Sequence, residues 1–210
     1  MNKKTAIVLV ALTALVWLGF VGGRYLQTQF MLSGRNIPNT PEAKEIMRTV
    51  EKAYEIEIEA AHTFDLSKFS TVFINDPRFD VSSGTLETIR ELTNNPSLES
   101  AGWLDYKMAY HSWRIGSTLH AESVQAKAKE ENRDLTVDEK KSLVDSHGRI
   151  APVRAQGSIR KLALKFLSVD VNGDIALVVV NDGPTTVELT MVLVDGKWYI
   201  AGFRGISVHP

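Results

Sequence analysis

The sequence predicts an α+β domain: N-terminal helices packed on a curved, four-stranded antiparallel C-terminal meander, with one apolar helix in front. Two observations predict it. From Pro41 to about Ser146 apolar residues recur at helical spacing, and from about Ile159 they alternate instead. Three turn signals, Asn172-Gly173, Asn181-Asp182-Gly183-Pro184 and Asp195-Gly196, then divide the last third into four strands. Helices first and strands last place the helices on one face of the sheet.

The chain opens with Lys3 and Lys4 and then an uncharged run from Thr5 to Gly23, with Trp17 and Phe20 near its far end. As a helix this run spans roughly 30 Å, a hydrocarbon core. It is read as an uncleaved membrane anchor over residues 1–25. A cleaved signal peptide with a Val21-Gly22-Gly23 site is the alternative. The early lysines put the N-terminus in the cytoplasm and the rest outside. Residues 26–40, with Ser33-Gly34 and Pro38, read as a tether, and residues 41–210 as the extracytoplasmic domain.

Thr40-Pro41-Glu42 is a helix start: a capping hydroxyl, proline in the first turn, an acid facing the dipole. Ile46, Val50, Tyr54, Ile58 and Ala61 trace its apolar face to about His62, with Glu51, Lys52, Glu55 and Glu59 on the solvent side. Asp65 is expected to cap a short helix over Leu66–Phe73, ended by Asn75-Asp76-Pro77. Phe79 and Val81 suggest a brief strand. Thr85 is expected to cap a helix over Leu86–Leu92, stopped by Asn94-Asn95-Pro96. A longer helical stretch from about Ser97 carries Leu104, Met108, His111, Ile115 and Leu119 on one face. Thr136 to Glu139 form a capping box for a further helix closed by His147-Gly148. In the first strand Leu162, Leu164 and Phe166 alternate, then Leu167, Val169 and Val171 alternate on the other parity. Such a slip marks a β-bulge.

Composition excludes several chemistries. With 24 basic and 25 acidic residues in 210, the net charge is −1, and no basic excess exists to neutralise nucleic-acid phosphates. The absence of cysteine removes disulfides, thiolate metal sites and thiol nucleophiles together. The five histidines are scattered; His111 and His120, nine apart, fall on opposite sides of a helix. No metal or cofactor is expected.

Three stretches carry a family likeness. They are the first helix running into Asp65 to Phe69 and Phe73 to Pro77, the turn Val171 to Ala176, and the hairpin Leu193 to Ile200. In order and spacing they resemble the NTF2-like superfamily, which includes ketosteroid-isomerase and SnoaL-like proteins. The resemblance implies a cone in which a sheet and a long helix enclose a cavity. Its members include enzymes, ligand binders and membrane-tethered subunits.

Within such a cone the pocket candidates are Tyr54, Tyr106, His111, Trp113 and Trp198. Asp65 and Asp105 are weighed as the buried carboxylate that an isomerase needs, but Asp65 reads as a helix cap and Asp105 as a surface acid, so no catalytic residue is assigned. Arg149, Arg154, Arg160 and Lys161 form a modest basic cluster. The resulting expectation is a membrane-tethered accessory domain acting through a protein partner, a second copy or a hydrophobic small ligand. A ketosteroid-isomerase-like enzyme and a subunit of an envelope-spanning assembly are the alternatives.

Overall fold

A computed structural model of the protein describes residues 37–145, 148–154, 164–183 and 185–208. Helix α1 spans Pro41–Thr63; Thr40 Oγ1 accepts the Ala43 amide at 3.1 Å, and Phe64, in the left-handed region at φ 61°, ends it. Its buried line is Ala43, Ile46, Val50, Ala53, Ile56 and Ala60. The expected stripe stepped mostly by four and drifted off this line after Val50. Steps alternating between three and four keep residues over one strip of sheet, because a turn holds 3.6 residues. Burying each of these aliphatic side chains stabilises the fold by roughly 1.5–3 kcal/mol, less for the alanines.

The segment after α1 is not the helix expected over Leu66–Phe73. Only a 3-10 turn forms, Phe69–Thr71. Asp65 Oδ1 takes the Ser67 amide at 2.8 Å in a tight local turn, which competes with helix formation. The chain then pairs with the sheet: the Ile74 amide donates to the Ile200 carbonyl and the Ile200 amide to the Val72 carbonyl. Phe73 thereby forms a parallel bridge with Ile200. Phe79 and Val81 form no strand.

Helix α2 spans Ser83–Thr93 and is capped by Ser82, three residues before the expected Thr85. Thr85 is instead the residue whose amide Ser82 Oγ accepts, at 3.2 Å. Asn94, left-handed at φ 52°, ends the helix where the Asn-Asn-Pro signal placed its stop. The long helix α3 spans Trp103–Glu130, starting after Ser97 because Ala101 is held by the Val81 amide. Its expected apolar face also fails in part: Met108 and Leu119 are 37% and 47% exposed, while Trp103, Ala109, His111, Thr118 and Ala121 are buried. Polar groups reach this buried face because they find partners; Thr118 Oγ1 donates to the Pro152 carbonyl at 2.8 Å. Helix α4, Val137–Ser142, has the predicted capping box, with Glu139 accepting the Thr136 amide at 2.8 Å. It ends before His147, which lies outside the described residues.

Strands β1 (Lys165–Asn172), β2 (Ile175–Asn181), β3 (Thr185–Val194) and β4 (Lys197–Val208) form one antiparallel sheet in the order β1-β2-β3-β4. The part of the first strand expected over Ile159 to Ala163 lies outside the described residues. The β1–β2 register shifts between Phe166 and Ser168, which is the bulge expected from the change of parity at Leu167. Asp195 and Gly196, with φ 51° and 77°, form the two-residue β3–β4 turn with both central residues left-handed, as a type I′ hairpin requires.

A further bulge lies in β4, between the pairs Met191–Ile200 and Thr190–Gly202. It leaves Ala201 without a cross-strand partner, so Ile200 and Phe203 both fall on the face that meets α1. The main core lies between that face and α1, from Ile46 and Val50 to Met191, Trp198 and Ile200. A smaller cluster around Ile89, Ala101 and Ala109 joins α2 to α3. No helix among the described residues is long and apolar enough to cross a membrane; the run from Thr5 to Gly23 lies outside them.

Candidate functional site

A cavity of about 170 Å³ remains between α1, α3 and the sheet. Ala53, Leu189, Ile200, Phe73, Trp103 and Phe203 make its apolar wall, and Tyr54, Glu57, Lys107 and Asp182 its polar one. Each polar group arrives by helical or turn geometry. Glu57 follows Ala53 by four on α1, in line with Val50 and Ala60. Lys107 stands midway between Trp103 and His111 on α3, each four residues away, so the three share one face. Asp182 is fixed in the β2–β3 turn, where its Oδ1 accepts the Thr185 amide at 3.0 Å.

The centre of the polar wall is an ion pair. Lys107 Nζ lies 2.6 Å from Glu57 Oε1, and His111 Nε2 lies 3.3 Å from Glu57 Oε2. The Lys107 and Glu57 side chains are 16% and 26% exposed. Burial alone would raise the Glu57 carboxyl, but the charge of Lys107 and the hydrogen bonds from His111 and Lys107 outweigh it and hold the group below its ordinary value. Lys107 Nζ also sits 5.2 Å from the ring centres of both Phe73 and Trp103, within cation–π range. Tyr54 Oη donates to Asp182 Oδ2 at 3.4 Å, a long bond. Burial first, then the neighbouring carboxylates of Asp182 and Glu57, push the Tyr54 phenol well above its usual value, so it stays a neutral donor.

Of the five residues singled out in the sequence, only Tyr54 lines this cavity. His111 lies behind it, 3% exposed, edge-on to Phe69 and bonded to Glu57. Tyr106 stacks on Trp103 at 4.9 Å; burial, then Tyr110, raises its phenol. Trp113 lies away from the cavity, under the guanidinium of Arg149. Trp198 is 1% exposed in the main core. The two carboxylates weighed as bases stand elsewhere: Asp65 is exposed in its turn, and Asp105 Oδ2 accepts the Gly102 amide at 3.0 Å at the start of α3.

The basic cluster is partly neutralised by acids of its own chain: Arg149 pairs with Asp145 and Arg154 with Glu122. Arg160 and Lys161 lie outside the described residues. No group of histidine and acidic residues among the described residues is arranged to hold a metal ion.

Sequence reasoning missed Glu57, Lys107 and Trp103. A signal existed for Glu57: it is a charged residue on a line of core positions, flanked by Ala53 and Ala60, whose small side chains leave room beside it. The chain matches no protein-family model, no curated protein and no solved structure.

Proposed function

We propose that this is an NTF2-like, ligand-binding domain tethered outside a membrane by its N-terminal apolar segment. Its ligand is small, uncharged and largely apolar. The observation that carries this reading is the 170 Å³ cavity with an aromatic wall and a few convergent polar groups. Its size is close to that of engineered cavities of about 150 Å³ that accept benzene, so one ring or a short branched chain fits. Glu57 and Lys107 already neutralise each other inside it, so an anion would enter half-buried surroundings without a counter-charge, and the Asp182 carboxylate is already taken up by Tyr54 and by the amide and hydroxyl of Thr185. Tyr54 and Lys107 are the donors that would meet a hydroxyl or carbonyl.

Binding is favoured over isomerase chemistry by the state of the two carboxylates in the cavity wall, Glu57 and Asp182. A general base must accept a substrate proton. Both Glu57 oxygens are engaged, one by Lys107 and one by His111, and its carboxyl is held low; Asp182 accepts the Thr185 amide and hydroxyl at Oδ1 and the Tyr54 hydroxyl at Oδ2. The membrane tether is supported by the run from Thr5 to Gly23 between Lys4 and Arg24.

The test is fluorine NMR of 4-fluorophenol added to the full-length chain in lipid nanodiscs, with empty nanodiscs as the blank. Saturable broadening is expected with the wild type and not with Ala53→Leu, which fills the cavity, or with Leu189→Phe should the first variant melt early. Broadening that survives in folded forms of both, or none with the wild type, would refute the reading.

A further inference from the structure

The inner cavity has a neighbour. A groove of about 420 Å³ runs along the outer edge of β4, between Ala201–Arg204 and the segment from Arg78 to Thr85. Trp103 and Phe203 line both spaces. Their rings are stacked at 5.3 Å with 4° between planes, and the pair is the partition common to the two. Trp103 is a fixed half of it, 7% exposed and stacked on its other neighbour, Tyr106. Phe203 is the movable half: it is 47% exposed, and it stands on this side of the sheet because of the bulge at Ala201.

The two spaces differ in chemistry. The inner one sets an apolar wall, with Ala53, Phe73, Leu189 and Ile200 beside the two shared rings, opposite the Glu57–Lys107 pair. The outer one presents two guanidiniums, Arg78 and Arg204, and two carboxylates, Asp80 and Glu188, with no net charge between them. Arg204 is bonded to Glu188 at 2.8 Å, and its side chain is 66% exposed. Gly202 keeps the floor low: a side chain there would press on Thr190. A wall that mixes strong donors and strong acceptors at zero net charge suits groups that both donate and accept, which is what hydroxyls do.

The geometry points to one bipartite site, in which Phe203 is the door. Its ligand is an amphiphile with an apolar ring or short branched chain in the inner cavity and an uncharged, hydroxyl-rich portion in the outer groove. This rests on the ligand-binding reading above and adds the second half of the ligand and its route of entry. No covalent step is involved.

The test uses the full-length chain in nanodiscs and two probes: 4-fluorophenol, which reaches the inner cavity alone, and 4-fluorophenyl β-D-glucoside, which spans both. The glucoside is expected to bind about tenfold more tightly than the phenol, the gain of one or two net hydrogen bonds. Arg204→Ala, at an exposed position, is expected to remove that gain and leave the phenol unaffected. Phe203→Ala is expected to speed entry of the phenol as well as its release, although losing part of the inner wall weakens its binding, and thermal melts report whether each variant is folded. If the phenol binds and the glucoside binds no better, the bipartite site is wrong and the inner-cavity reading stands. Phenol entry no faster in folded Phe203→Ala overturns the door. If neither probe binds, both readings fall.

Discussion

Asn75 caps helix α3 on behalf of Gly102, twenty-seven residues along the chain. Gly102 holds the N-cap position with extended backbone but has no side chain to offer; Asn75 Oδ1 accepts the Asp105 amide in its place, at 3.2 Å. The two residues exclude each other's alternatives, since a Cβ at position 102 would collide with the Asn75 carboxamide. Asn75→Ala is therefore expected to cost about 1 kcal/mol, an ordinary cap, and Gly102→Ala about 2 kcal/mol, because a loop must shift. The double variant Asn75→Ala, Gly102→Ser should recover most of the first loss, since the serine regains the space and the capping oxygen. Urea denaturation followed by tryptophan fluorescence measures all three; a double variant no better than Asn75→Ala alone would show that the carboxamide is not the cap.

The Glu57–Lys107 pair makes a prediction about pH. Lys107→Met removes the cation and leaves Glu57 with His111 alone. Breaking a buried pair costs about 3–5 kcal/mol, and partial exposure of both side chains reduces this to roughly 2 kcal/mol. Glu57 has a folded-state value below its ordinary 4.5, so its contribution is fully present above 4.5 and is lost as the pH falls through the lowered folded value. The stability difference between wild type and Glu57→Gln should accordingly be flat above about pH 5.5 and shrink in acid. A difference that grows as pH falls would mean that the carboxyl is raised, and the pair would have to be reinterpreted as a protonated acid.

Arg78 predicts an asymmetry. Its guanidinium grips Asp76 with two bonds, at 2.9 and 2.8 Å, and reaches across to Asp174 in the β1–β2 turn at 2.7 Å. Asp76 is 8% exposed and Asp174 is 56% exposed. Hydrogen bonding from Arg78 holds the Asp76 carboxyl low despite its burial. Asp174→Ala should cost under about 0.5 kcal/mol, because an exposed pair contributes little. Arg78→Ala should cost about 2 kcal/mol, because it strands a buried carboxylate. Equal losses in thermal melts of the two variants would contradict this.

The features that sequence reasoning reached are local ones. The Thr40 cap, the Asn94 stop, the Thr136–Glu139 box and the Asp195-Gly196 turn each depend on a few adjacent residues, and each stands where the pattern put it. The β1 bulge was equally accessible, because a change of parity within one strand has only that explanation. The site was not reached, for a physical reason. Periodicity counts apolar residues, and α3 buries Lys107 and His111 on the strength of a carboxylate fifty residues away on another helix. Trp198 and Trp113 attract attention by their size, yet one fills the core and the other stacks under an arginine. The α3 cap was hidden similarly, since its capping residue is supplied by a distant loop.

The bulge at Ala201 gives the last prediction, about residue count in place of side-chain chemistry. Ala201 is fully buried and has no partner on β3, while Ile200 faces Met191 and Phe203 faces Leu189. Deleting it would only remove the bulge and leave Phe203 opposite Leu189, whereas inserting one alanine after it would put Gly202 opposite Leu189, turn Phe203 away from Trp103 and set Arg204 opposite Val187 on the inner face. Placing an arginine in that apolar wall is expected to cost upward of about 4 kcal/mol, enough to abolish most of a small domain's stability. Ala201→Gly keeps the count and should cost only about 1 kcal/mol. Hydrogen exchange separates the cases, because the Ile74 and Ile200 amides bond across the β4 edge beside the bulge. Both should stay protected in the glycine variant and lose protection in the insertion. Protection retained in the insertion would mean that the bulge can widen to absorb the extra residue, and that the inward position of Phe203 is a property of its side chain and not of the strand.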